Sequence, residues 1–162
     1  MTYAFEDVTP EHRDGILRVF NYFVENDFSA YPTKPVGPEF FERFSAITKG
    51  YPFIAIKDSD EVIGFACLHM LHPADSLRRT AEISYFILPE HTRKGLATQI
   101  LERFIEEAKQ RGITTIMASI SSLNERSLSF HRKHGFVECG HFRNVGRKFD
   151  RDFGIVWMQL DL

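Results

Sequence analysis

The segment from Thr80 to Gly112 constrains this chain more than any other. Thr80 to Leu88 reads as a strand and stops at Pro89. Leu96, Ile100, Leu101, Phe104, Ile105 and Ala108 then recur at helical spacing and predict an amphipathic helix that stops at Gly112. Between the two lies His91-Thr92-Arg93-Lys94-Gly95. The first N–H groups of a helix lack intrahelical acceptors, and the helix dipole adds positive potential there. Gly95 and Ala97 put little side chain in front of that backbone, and Arg93 and Lys94 add charge. A diphosphate fits this demand. The segment contains neither G-x-x-x-x-G-K-[ST] nor G-x-G-x-x-G, so a P-loop and the dinucleotide fingerprint are excluded. Taken alone, it also reads as an ordinary strand-to-helix connection.

The rest of the chain sets the layers. Tyr3 to Val8 alternates as a short strand, and Thr9-Pro10-Glu11 looks like a helix start before Ile16, Phe20, Phe23 and Val24. Asn26 to Gly37, with Pro32 and Pro35, reads as a loop, followed by a helix over 38–47. Strands are expected at 52–57 and 62–71 as a hairpin around Asp58-Ser59-Asp60, and at 114–120. Asn124 opens a helix that ends near Gly135, and 136–145 with 148–160 forms a final antiparallel pair. The order β-α-α-β-β-β-α-β-α-β-β is a mixed α/β layer fold, without the strict alternation of a doubly wound sheet. No linker or repeat divides the 162 residues, so one domain, 1–162, is expected. The formal net charge of −2 argues against a general nucleic-acid binder. The longest apolar stretch, Val62 to Leu71, is too short to span a bilayer, so no membrane partner is expected. Two cysteines, without a C-x-x-C spacing, fit a reducing, cytoplasmic setting. The pairs His131/His134 and His69/His72 lack a third ligand in sequence, so no metal is expected.

A second segment carries more information: Asn124-Glu125-Arg126-Ser127-Leu128-Ser129-Phe130-His131-Arg132-Lys133-His134-Gly135-Phe136. With Thr92-Arg93-Lys94-Gly95-Leu96-Ala97, it resembles the GCN5-related N-acetyltransferase (GNAT) superfamily, whose turn is Q/R-x-x-G-x-G/A and whose later helix is N-x-x-A/S-x-x-L/F-Y/H-x-x-x-G-F. Thr92 departs from that pattern. A narrower likeness spans nearly the whole chain. Asn21-Tyr22-Phe23-Val24-Glu25, Tyr51-Pro52-Phe53-Ile54-Ala55, Gly146-Arg147-Lys148-Phe149 and Met158-Gln159 look like the phosphinothricin and methionine-sulfoximine acetyltransferase branch. Asp150-Arg151-Asp152-Phe153 and the segment from Met70 to Leu77 depart from that branch.

The resemblance implies a mostly antiparallel central sheet with helices on both faces and a splayed parallel pair, 80–88 and 114–120. It implies acetyl-CoA as co-substrate. The pantetheine arm would lie along Tyr85, Phe86 and Ile87, the diphosphate on Arg93, Lys94, Gly95, Leu96, Ala97 and Thr98, and Asn124 would contact the arm while also capping its helix. Glu82 would take the proton of the attacking amine, and His131, at a position where many relatives carry Tyr, would protonate the leaving thiolate. Phe28, Ser29 and Tyr31 would line the acceptor pocket, with Arg78 and Thr80 contacting an amino-acid acceptor; a guanidinium can grip a carboxylate with two parallel bonds. Transfer would be direct, because Cys67 reads as core and Cys139 has no evident base beside it. A homodimer is also implied. The expected function is N-acetylation of a small amine, an amino acid or analogue. A protein N-terminal or lysine acetyltransferase, or a non-catalytic acyl-CoA sensor, are the alternatives.

Overall fold

The computed structural model describes all 162 residues. The elements are β1 (Tyr3–Asp7), α1 (Arg13–Asn26), α2 (Pro38–Ile47), β2 (Phe53–Asp58), β3 (Glu61–Met70), β4 (Thr80–Ile87), α3 (Leu96–Gln110), β5 (Thr115–Ser121), α4 (Glu125–Lys133), β6 (Val137–Lys148) and β7 (Arg151–Asp161). One seven-stranded sheet runs in the order β1-β2-β3-β4-β5-β7-β6. Every neighbouring pair is antiparallel except β4 with β5. No helix is long and apolar enough to cross a membrane.

The strand alternation sorts the two faces. Ile54, Ile56, Ala66, Leu68, Ala81, Ile83, Ile116 and Met158 pack in one core with Leu96, Ile100, Leu101, Phe104 and Ala108 of α3 and Leu128 of α4. On the opposite face, Phe65 is buried with Ile16, Val19, Phe20, Phe23 and Val24 of α1 and Phe40 and Phe41 of α2. Phenylalanines dominate this second layer: Phe20 stacks on Phe40 at 4.2 Å, and Phe65 meets Phe86 at 5.3 Å. Burying one such ring contributes roughly 1.5–3 kcal/mol, so a thin two-helix layer suffices to cover the sheet.

Two sequence-based boundaries shift. The continuous first helix begins at Arg13, because Thr9 opens a single 3-10 turn, Pro10–His12, in which the Thr9 N–H donates to His12 Nδ1 at 3.0 Å. The final hairpin turns at Phe149-Asp150, three residues later than its glycine suggests. Both residues have left-handed φ, 52° and 57°, as a tight hairpin turn of the primed type requires. Gly146 lies inside β6 instead, where a Cβ would run into the Phe153 ring.

That hairpin holds the loop between α1 and α2. Lys148, only 3% exposed, donates from Nζ to the carbonyls of Asp27 at 2.6 Å, Ala30 at 2.7 Å and Phe23 at 3.3 Å. A buried ammonium is tolerable only with such partners, and the Phe23 carbonyl belongs to the negative end of α1. Burial lowers the Lys148 pKa from its ordinary range. At the other end of the loop, Asn21 bonds both the N–H and the carbonyl of Val36, at 2.8 and 3.0 Å.

Gly64 sets the spacing of β3 against β4: a Cβ there would lie 2.6 Å from the Phe86 carbonyl oxygen and 3.0 Å from Ile56 Cδ1. Gly64→Ala should therefore destabilise the fold by about 1–3 kcal/mol, read as a lower denaturant midpoint. An unchanged midpoint would mean that β3 can move aside.

Candidate functional site

The parallel pair is short. Thr80, Ala81 and Glu82 pair with Thr115, Ile116 and Met117, and there the register ends. β4 continues against β3 as far as Ile87, while β5 continues against β7 as far as Ser121. The strands are therefore held by their outer neighbours and part on their inner edges. A cavity of about 70 Å³ fills the gap, bordered by Ser84, Tyr85, Ser119, Ser121, Ser127 and His131. It shares Ser29, Tyr85, Phe86, Asn124 and Ser127 with a larger cavity of about 350 Å³, which extends past Ile87 to Arg93, Gly95, Leu96, Ala97 and Thr98.

The turn before α3 is shaped by its backbone. Arg93 has φ 61° and Gly95 has φ 78°, both left-handed. Such alternation turns successive N–H groups into one concavity suited to an anion. Only glycine takes this conformation freely, so Arg93 is held in a sparsely populated region. Gly95 is the N-cap of α3 and offers no side-chain acceptor, which leaves the first-turn N–H groups without a capping partner. Arg93 is exposed at the mouth of the larger cavity. Lys94 does not border it; its ammonium lies 2.7 Å from Met1 Sδ. Asn124 caps α4, accepting from Ser127 N at 3.2 Å, and borders both cavities, so its NH2 is the group left for a ligand.

Glu82 lies one pleat before Ser84 on the same face. Its carboxylate is 3.9 Å from His69 Nε2, and the side chains are 19% and 15% exposed. Burial raises the Glu82 pKa and the His69 charge opposes that rise. Tyr31 stands close enough for the Glu82 charge to raise its pKa, after burial, and its hydroxyl is 3.5 Å from Ser119 Oγ. Tyr31 stacks on Phe153, and Phe28 packs on Phe149 and Phe153, so both belong to the loop that Lys148 holds. Thr80 is half-buried at the start of β4 on the Glu82 face. Arg78 is exposed beside the 3-10 turn Asp75–Leu77, and its guanidinium makes no ion pair or hydrogen bond. The structure thus gathers Glu82, Tyr31 and Thr80 and leaves Arg78 outside the cluster.

His131 is 2% exposed. Its Nδ1 is 2.7 Å from the Ser127 carbonyl, which fixes that nitrogen as a donor, so Nε2 accepts from the Tyr85 hydroxyl at 2.5 Å. The ring stacks on Tyr85 and meets Phe136 edge-on. Burial lowers its pKa to about 4. Neutral and with both nitrogens engaged, this imidazole has no proton to spare for a leaving thiolate; the geometry gives it the role of orienting Tyr85. Sequence reasoning missed this bond, the Lys148 clamp and the facing of His69 and Glu82. Only a cross-strand register could have revealed the last.

The unfolded chain protonates His131 near pH 6.5, the folded one only near 4, so stability present above pH 6.5 is lost as pH falls towards 4. Between pH 7.5 and 4.5 the wild type should lose roughly 2–3 kcal/mol more than His131→Gln in denaturant titrations; equal losses would contradict a buried neutral ring.

Comparison with known proteins places this geometry. A sequence model of the acetyltransferase (GNAT) family matches residues 18–136. An L-methionine sulfoximine/L-methionine sulfone acetyltransferase of Pseudomonas aeruginosa PAO1 is 31% identical over 165 residues, covering 100% of this chain and 96% of that protein. The crystal structure of a GNAT-superfamily phosphinothricin acetyltransferase from Sinorhizobium meliloti in complex with acetyl-CoA superposes with a TM-score of 0.92 at 27% identity, over 100% of this chain and 89% of that one. A ribosomal-protein-alanine N-acetyltransferase from Brucella melitensis superposes with a TM-score of 0.89 at 27% identity, over 98% and 99% of the two chains. With its parted parallel strands and its uncapped helix start, the chain belongs to the GNAT family and is an acetyl-CoA-dependent N-acetyltransferase.

Proposed function

We propose that the chain, as a single catalytic domain over residues 1–162, transfers acetyl directly from acetyl-CoA to the amine of a small amino acid or analogue of the methionine sulfoximine or phosphinothricin kind. The observation that carries this reading is the alignment of three features along one strand: a half-buried carboxylate at Glu82, a gap beginning just beyond it, and an anion-shaped turn at the strand's end. The names of the Pseudomonas and Sinorhizobium relatives support the acceptor class.

The diphosphate sits on the N–H groups from Arg93 to Thr98, with Arg93 and Lys94 as exposed cations at the turn. The pantetheine arm fills the gap left by β5, bonding backbone at Tyr85, Phe86 and Ile87 as a strand would, with the Asn124 NH2 alongside. The amine nitrogen attacks the thioester carbonyl, its proton passes to Glu82, and the carbon–sulfur bond breaks to release the thiolate of CoA. Burial brings the base closer to neutral pH, where a general base works best. Phe28, Ser29, Tyr31 and Thr80 border the acceptor, and the exposed, unpaired guanidinium of Arg78, outside this cluster, is the cation offered to its carboxylate. Direct transfer is supported by Cys67, whose thiol burial drives far above the ordinary range. The apolar side chains of Val137, Phe142 and Val145, exposed on edge strand β6, support a homodimer.

The Brucella neighbour favours one other reading, in which a protein α-amine is the acceptor. The aromatic loop over Glu82 supports a small acceptor instead. Thiol release from acetyl-CoA, measured over methionine sulfoximine, phosphinothricin, free amino acids, polyamines and peptides with free N-termini, separates the two. Turnover confined to peptides would overturn the small-acceptor reading, and no thiol release with any amine would leave an acyl-CoA sensor. With the best acceptor, Glu82→Gln should lower kcat at least about 100-fold near neutral pH and recover as the amine deprotonates unaided at high pH. A loss equal at every pH would remove Glu82 as the base.

A further inference from the structure

Glu82, the proposed base, has a neighbour that the local sequence pairs only with His72. His69 lies directly opposite Glu82 in the β3–β4 register. Its Nδ1 is 3.0 Å from the Met70 carbonyl, an acceptor only, so Nδ1 carries the proton and donates it. A neutral ring held this way turns the lone pair of Nε2 towards Glu82 Oε2, 3.9 Å away. Two acceptors facing each other in a half-buried site repel unless a proton lies between them. The pair is therefore built to hold one proton.

We propose that His69 is the positioning partner of Glu82: as an imidazolium across the hairpin it keeps the carboxylate ionised and ready to take the proton of the amine. This deepens the reading of Glu82 as the base and rests on it. The bookkeeping is simple. The amine N–H proton moves to Glu82 while His69 stays protonated, donating to the Met70 carbonyl through Nδ1 with Nε2 3.9 Å from the carboxylate, and Glu82 then gives up that proton to solvent before the next turnover. The next residue, Met70, is exposed at the end of β3, so the ring lies at the boundary of solvent, to which the proton is lost.

The other groups facing Glu82 do not compete for this role. Cys67, one pleat along β3, and Tyr31, from the loop above, are both held protonated by burial. Met117, opposite on β5, carries no charge. The nearby Ser119 hydroxyl engages Tyr31.

The test is the pH profile of kcat/KM for one acceptor at saturating acetyl-CoA, in the wild type, His69→Gln, His69→Asn, Glu82→Gln and the Glu82→Gln/His69→Gln double variant. The acceptor's own ionisation is then common to every profile. Without the imidazolium nothing opposes the burial of Glu82, so its acidic limb should move to higher pH by about 0.5–1 unit in both His69 variants. Activity should fall roughly 3–10-fold at pH 6 and return to within about 2-fold of the wild type at pH 9, with KM for acetyl-CoA unchanged. In the Glu82→Gln background, His69→Gln should have no further effect. An unmoved limb, a loss equal at all pH values, or an equal loss in the Glu82→Gln background would overturn the proposal. Wild-type rate and limb in Glu82→Gln alone would instead overturn the reading of Glu82, which keeps the two failures distinct.

Discussion

Everything in this site depends on a pairing that stops. β4 and β5 share a parallel ladder only from Thr80 to Glu82, and each is then held by its outer neighbour alone. Past that point both strands present inner edges whose backbone groups face a gap instead of each other, and backbone donors and acceptors are rarely left without partners. An extended ligand arm with amide groups of its own is the natural occupant. The gap opens immediately beyond Glu82 and leads to the turn at Arg93–Gly95, so the carboxylate proposed as base, the gap proposed for the arm and the turn proposed for the diphosphate are set in line by one strand and the helix after it.

The two faces of the sheet divide the labour. The face covered by α3 and α4 carries the larger aliphatic core, and there the His131–Tyr85 bond joins α4 to β4. The face covered by α1 and α2 carries Glu82 and His69, roofed by the loop that holds Phe28 and Tyr31. That loop has no regular structure of its own. It keeps its place because Lys148, far away in sequence, supplies a buried charge to two of its carbonyls, those of Asp27 and Ala30, and to the Phe23 carbonyl of the helix before it. The shape of the proposed acceptor side is thus set by the final hairpin as much as by the loop.

Much of this was legible in the residues. Alternation in Thr80–Leu88 and the apolar stripe of the next helix fixed β4 and α3 to within a residue, because both signals come from burial on one face. The position of the turn before α3 was legible too, since Gly95 lies within it as the N-cap. The final hairpin was misplaced: its turn uses Phe149 and Asp150 in left-handed conformations that neither residue type advertises, while Gly146 serves a close contact with Phe153. Roles that depend on tautomer or long-range contact were out of reach. His131 matched a donor position by sequence, yet its donor is spent on the Ser127 carbonyl. His69 was visible only as one of a histidine pair, because nothing local records which residue faces it across the hairpin.

The most direct test of the cofactor geometry is amide hydrogen exchange, resolved by residue, with and without acetyl-CoA. Slowed exchange is expected in two separate stretches, Tyr85–Ile87 and Arg93–Thr98, where the arm and the diphosphate take up open N–H groups. Binding that left both stretches exchanging as in the free protein would contradict the assignment of the strand gap and the helix start to the cofactor.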